Sequence, residues 1–112
     1  MIDKELILQQ PVLLLSEVKE ILGVDGFSNA FVNSELIQLR RSKNKFYPTF
    51  QFDLQNNDLY KEVRKINNIL GARKDPWKTA DWWYTNNRYK LLGTDKSYEL
   101  VKEALGLFNY ES

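Results

Sequence analysis

The fold turns on Asp75-Pro76-Trp77-Lys78-Thr79-Ala80-Asp81-Trp82-Trp83-Tyr84. Asp75 followed by Pro76 reads as a helix N-cap plus a proline at the first helical position, where the missing N–H costs nothing. At about 100° per residue, Trp77, Ala80, Trp83 and Tyr84 share an arc of roughly 120°, and Trp82 falls about 140° from Trp77, outside it. One flat contact cannot bury all three tryptophans. The helix is therefore either enclosed by other elements or offers an aromatic face to a partner, and exposed Trp and Tyr are typical binding hot spots. Asn86 and Asn87 mark its stop.

On the C-terminal side, a loop containing Gly93 leads to a last helix over about 95–108. Leu100, Val101, Ala104, Leu105 and Phe108 lie on one stripe of it, and Lys96, Glu99, Lys102 and Glu103 lie on the other. On the N-terminal side, Leu59, Val63, Ile66 and Leu70 predict a helix starting near Asn57 or Asp58 and ending at Gly71, with Lys61, Arg64, Lys65 and Asn68 opposite. Further upstream, Pro11 interrupts the short apolar segment 2–8. Ser16 reads as an N-cap, and Val18, Ile21 and Leu22 follow at helical spacing up to Gly23. A second short helix is predicted over 28–33. The apolar runs Leu36, Ile37, Leu39 and Phe46, Tyr47, Phe50, Phe52 flank the polar turn Ser42-Lys43-Asn44-Lys45 and predict a hairpin. Pro48 marks its second arm as an edge or irregular strand. The expected architecture is mainly α. A helix-turn-helix-like region with a short β-hairpin occupies 1–54, and a three-helix unit occupies 55–112.

Composition narrows the chemistry. Among 112 residues there is no cysteine and no histidine. Thiolate chemistry and disulfides are absent, and so are the commonest general base, metal ligand and pH switch. No glycine-rich phosphate loop occurs, the serines have no histidine partner, and carboxylates such as Glu62, Glu99 and Glu103 fall on solvent-facing helix positions. The expectation is a non-enzymatic protein with no catalytic residues, no metal and no cofactor. Fifteen aromatic residues give it large side chains for a core without staples. The N-terminus lacks the pattern of a signal peptide and no apolar run reaches membrane-spanning length, so a cytoplasmic protein without a membrane partner is expected.

A net charge of +1 gives little overall attraction to nucleic acid, so any such role must be local. Arg40, Arg41, Lys43 and Lys45 place four cations within six residues at the hairpin tip, where they would either contact DNA phosphates or form a solvated turn. The helix–glycine–helix pattern ahead of it has the order of a helix-turn-helix, whose reading helix would offer Ser28, Asn29 and Asn33 to base edges; a purely structural helix pair reads equally well.

Asp75-Pro76-Trp77-Lys78-Thr79-Ala80-Asp81-Trp82-Trp83, then Thr85-Asn86-Asn87, then Leu92-Gly93 and 97–105, resembles the Xre/MbcA/ParS-type toxin-binding domain of bacterial antitoxins. Upstream, Phe46-Tyr47-Pro48-Thr49-Phe50-Gln51-Phe52-Asp53 resembles the segment that precedes this domain, and 13–23 resembles its degenerate helix-turn-helix. Thr94 stands where the family has a second glycine, and Ser97 where it has a proline. The resemblance implies a three-helix toxin-binding unit and an antitoxin that inhibits a cognate toxin, typically a RES-domain enzyme that consumes NAD. It also implies a homodimer that autoregulates by binding operator DNA. Carried over by position, toxin contact falls to Trp82, Tyr84, Asn86, Asn87, Arg88, Leu92, Gly93 and, in the tail 109–112, Tyr110. Two alternatives stand beside this reading: a DNA-binding transcriptional regulator, and an orphan or phage-encoded interaction protein with another target.

Overall fold

The computed structural model describes the backbone of residues 2–111 and the side chains of residues 2–106. The side chains of Phe108 and of the tail 109–112, Tyr110 among them, lie outside those described. The chain opens with a five-residue helix, α1 (Lys4–Leu8), capped by the Asp3 carboxylate, which accepts from the Leu6 N–H at 3.1 Å. Pro11 cannot extend it, and Val12–Leu14 runs on as strand β1.

Helical structure resumes at once in α2 (Leu15–Val32). Ser16, expected to cap it, is already inside; Leu14 holds the capping position because pairing with Phe46 keeps it extended, and the Glu17 side chain accepts from its N–H at 3.0 Å. Gly23, with φ 77° and ψ 163°, breaks α2 into two halves, a backbone state that only glycine takes without strain.

The hairpin is present as β2 (Leu39–Arg41) and β3 (Asn44–Pro48), with Arg41 opposite Asn44 and Ser42 at φ 57° in the two-residue turn. Leu36 and Ile37 precede it. β3 is not an edge strand, as Pro48 had suggested: β1 pairs along its other side, giving the antiparallel order β1-β3-β2. Pro48 is tolerated because it is the last residue of the strand, and the next N–H, that of Thr49, donates to the Pro11 carbonyl at 3.1 Å. Arg41 pairs with Glu5 of α1, while Phe27 of α2 meets Tyr47 edge-on at 6.0 Å, so a helix is tied to the sheet on either side.

A single 3-10 turn, Thr49–Gln51, leads to a second antiparallel pair, β4 (Phe52–Asp53) and β5 (Asp58–Leu59). Leu59, expected on a helix face, is buried instead in β5 opposite Phe52, and α3 (Lys61–Leu70) begins later than predicted. Gly71 ends α3 in the left-handed conformation (φ 74°, ψ 50°), and the following Ala72 N–H returns to the Asn67 carbonyl at 2.9 Å. α4 (Pro76–Tyr84) starts at its proline with Asp75 in the cap position. A 3-10 stretch, Thr85–Leu91, and α5 (Ser97–Glu111) complete the chain, with α5 packed on α3 and α1 on α4.

These elements correct the expected fold class. Among the described residues the protein is 59% helical, yet the five helices accompany two small antiparallel sheets of three and two strands, so it is a compact α/β fold rather than a mainly α chain with a separate three-helix unit. A single cluster of buried residues draws on both sides of the 54/55 division, from Val18, Leu39 and Tyr47 to Val63, Trp83 and Leu100. Among the described residues, no helix is long and apolar enough to cross a membrane.

Candidate docking site

Trp82 and Trp83 of α4 are enclosed, while its last residue, Tyr84, lines an open cleft. Trp83 is 0% exposed and Trp82 8%, while Trp77 is half-buried. Enclosure of an indole requires a partner for its N–H. Trp83 donates to Asn67 Oδ1 at 2.8 Å; Asn67 Nδ2 donates to the Glu35 carbonyl at 3.0 Å and to Gln51 Oε1 at 3.1 Å. The Gln51 oxygen also accepts from the Ile37 N–H at 2.7 Å, and its Nε2 donates to the carbonyls of Pro48 at 3.1 Å and Ile37 at 3.3 Å. Gln51 and Asn67 are both fully buried. This polar chain fastens α3, α4, the 3-10 turn and the segment before β2 to one another. The hydrophobic pattern could not reveal it, because its two central residues are polar.

Past α4, the chain turns on two successive asparagines in the left-handed region, Asn86 (φ 57°, ψ 21°) and Asn87 (φ 54°, ψ 36°), a conformation that asparagine tolerates better than most residues. Both side chains are exposed. Arg88, expected to face a partner, folds back onto the protein. It donates to the Trp82 carbonyl at 2.9 Å and to Glu103 Oε1 at 2.9 and 2.5 Å, with its guanidinium 4.6 Å from the Trp82 ring centre. Trp82 and Arg88 therefore hold the loop against α4 and α5. Gly93 (φ 79°) is exposed beside Tyr60, whose hydroxyl would lie 3.4 Å from an added Cβ.

Beside this loop lies a cleft of about 380 Å³. Tyr84, Tyr89, Lys90 and Leu92 come from α4 and the loop, Phe50, Phe52 and Tyr60 from the other side, and Gln10, Pro11 and Thr49 from the rim. Phe50 is its centre: its ring lies 5.3 Å from Trp83, 5.3 Å from Tyr84 and 5.7 Å from Tyr89, and Tyr84 and Tyr89 meet at 5.4 Å. The offset and edge-on angles are those that aromatic quadrupoles favour. Among the described side chains, the Tyr84 hydroxyl is the one buried polar atom without a hydrogen-bond partner in the protein. Of the residues that the resemblance marks for toxin contact, Tyr84 and Leu92 line this cleft, with Asn86, Asn87 and Gly93 exposed in the same loop region. The sequence reading places Phe50 only in the second apolar run of the hairpin, not in a site, and Tyr60 and Tyr89 carry no periodic signal.

Burial raises the Tyr84 phenol far above its ordinary value, with the neighbouring Tyr89 phenol adding to the effect. Burial also pushes Tyr47 up to about 12, and its hydroxyl donates to Gln38 Oε1 at 2.7 Å. Both raised values favour the neutral phenol in the fold. The stability they contribute is present below the unfolded value of about 10 and is lost as pH rises through the folded values. An absorbance titration of tyrosinate should therefore show part of the six tyrosines ionising only together with loss of circular dichroism. Ionisation of all six near pH ~10 with the fold intact would contradict it.

The expected DNA-contact residues lie at the end of α2 and along the hairpin. Ser28, Asn29 and Asn33 are exposed, and the Asn33 carbonyl accepts from Asn68 Nδ2 at 2.8 Å. Arg41 is paired with Glu5; Lys43 and Lys45 line a shallow pocket with Leu14 and Ser16; Arg40 lies in a different cleft, beside Phe31 and Trp77. Among the described residues, no group of three or more His, Cys, Asp or Glu side chains is placed to hold a metal ion. Comparison with family models, with curated proteins and with solved structures finds no match for this chain.

Proposed function

We propose that this protein is a non-enzymatic, antitoxin-like inhibitor that docks on a cognate protein toxin through loop 84–93 and the aromatic cleft beside it. The observation that carries this reading is the cleft itself: aromatic faces that a partner's apolar side chain would cover, together with a buried phenol that lacks a protein partner. Exposed Asn86 and Asn87 offer amide donors and acceptors in the same loop, which Arg88 ties back to the protein, so little ordering entropy is lost on docking. The resemblance of 75–105 to the toxin-binding domain of antitoxins names the partner class, a RES-domain toxin.

Mixing the protein with a RES-domain toxin should give a complex stable on size exclusion and block loss of NAD. The Tyr84→Phe variant separates binding from folding. It removes only the unpartnered hydroxyl, so the melting temperature should hold or rise, while toxin affinity falls by about tenfold. Absence of any complex, or unchanged affinity in both Tyr84→Phe and Tyr89→Ala, would overturn the assignment of this face.

A further inference from the structure

The hairpin and the segment after α3 build a second site, on the face that carries Arg40. Its cleft, about 260 Å³, is lined by Phe31, Gln38, Arg40, Ala72, Arg73, Pro76 and Trp77. Two guanidiniums enter its lining and no carboxylate does; Asp75, the chain neighbour of Pro76, is not among the lining residues. Among the described residues, neither Arg40 nor Arg73 has a carboxylate within ion-pair distance, although Arg41, Arg64 and Arg88 all do.

One of the two guanidiniums is also held in place. Arg73 lies 5.2 Å from the centre of the Phe31 ring and donates from Nη1 to the Val32 carbonyl at 3.4 Å. Lys4 lies 5.0 Å from the Trp77 ring, adding positive charge on that wall. Gln38 accepts from Tyr47 through Oε1, which orients its side chain and leaves Nε2 as a donor. Arg40 sits directly opposite Lys45 across the β2–β3 ladder. Two like charges facing each other across a ladder destabilise a hairpin, and an anion bound between them would reverse the sign of that effect.

We propose that the Arg40–Arg73 cleft is an oxyanion site that takes a phosphate group. Guanidiniums match the geometry of phosphate oxygens with paired N–H donors, and the Arg40–Lys45 pair continues the positive track from the cleft along the hairpin. The ligand is either a nucleic-acid strand whose backbone follows that track or a free nucleotide. The site shares no lining residue with the toxin-docking cleft and does not depend on that reading.

The test uses the intact protein with a fluorescein-labelled oligonucleotide, single- and double-stranded, and with a labelled mononucleotide, across a salt series. Arg40→Gln and Arg73→Gln should each weaken binding by about tenfold, and for a strand each should lower the salt slope by about one. Arg73→Lys, which keeps the charge but loses the fork, should restore only part of the affinity. Arg41→Gln removes the same charge outside the cleft and should change little. Binding of the oligonucleotide alone assigns the site to a strand; equal binding of the mononucleotide assigns it to a nucleotide. No binding of any probe, or equal losses in the Arg41→Gln and Arg40→Gln variants, would overturn the proposal. Melting curves for every variant show whether each is folded.

Discussion

Asn67→Ala is expected to destabilise the protein by about 2–4 kcal/mol, although it removes only a short polar side chain. The side chain it deletes is fully buried and makes three hydrogen bonds. Without it, the Trp83 indole N–H is left unpartnered in the core, and the Glu35 carbonyl loses its side-chain donor. Desolvation of the orphaned donor, rather than the lost bond itself, sets the magnitude. Against a total stability of roughly 5–15 kcal/mol, this is a large fraction. Urea unfolding should show a lower midpoint with an unchanged slope. Asn67→Leu distinguishes the network from simple volume: it refills the space, yet it leaves the same indole unpartnered and should cost nearly as much. A Leu variant as stable as the parent would show that the polar chain contributes nothing net.

How far the residues announced this structure depends on the range of the contacts involved. Pro76 and Gly71 mark helix ends by their own backbone chemistry, and α4 begins and α3 ends at those positions. The hairpin was legible in Leu39 and Phe46–Tyr47 around a polar turn, since its pairing is local. β1 was not, because Val12, Leu13 and Leu14 sit in a continuous apolar run with no period, and their partners, from Pro48 to Phe46, lie more than thirty residues downstream. Leu59 misled for a related reason: its spacing to Val63 fits a helix face, but pairing with Phe52 takes it into a strand. That one long-range sheet and one short pair turn an expected mainly α chain into an α/β fold.

The candidate sites divide along the same line. Tyr84 and Leu92 belong to the segment that the sequence motif marks, whereas Phe50 joins them only because the 3-10 turn brings it against Trp83. The basic cluster at the hairpin tip read as one patch; strand alternation splits it, sending Arg41 to Glu5 and Arg40 to the cleft beside Trp77. Arg73 carried no signal, since nothing local distinguishes it from any solvated arginine. Gln51 and Asn67 are the deepest omission, because a pattern that looks for apolar residues in a core assigns buried amides to the surface.

Trp83 is where that polar chain meets the aromatic cleft, and its replacement should have the largest effect of any single change. Trp83 is the largest fully buried side chain, and Trp83→Ala is expected to cost about 3–5 kcal/mol or more, through the cavity it opens and through Asn67 Oδ1 left without a donor. Trp83→Phe keeps much of the volume and loses the N–H, so a smaller cost of about 1–3 kcal/mol is expected. Combining Trp83→Phe with Asn67→Leu removes both partners together; the cost of the double variant should then fall short of the sum of the two single costs by about 1 kcal/mol or more, the signature of a direct pair. Because the Phe50 ring rests 5.3 Å from Trp83, the same substitution loosens the centre of the docking cleft. Near-ultraviolet circular dichroism should therefore change in Trp83→Phe while the far-ultraviolet signal is retained, and toxin affinity should fall in the same variant. Additive costs in the double variant would separate Trp83 from Asn67 energetically, and the indole would then act through packing alone.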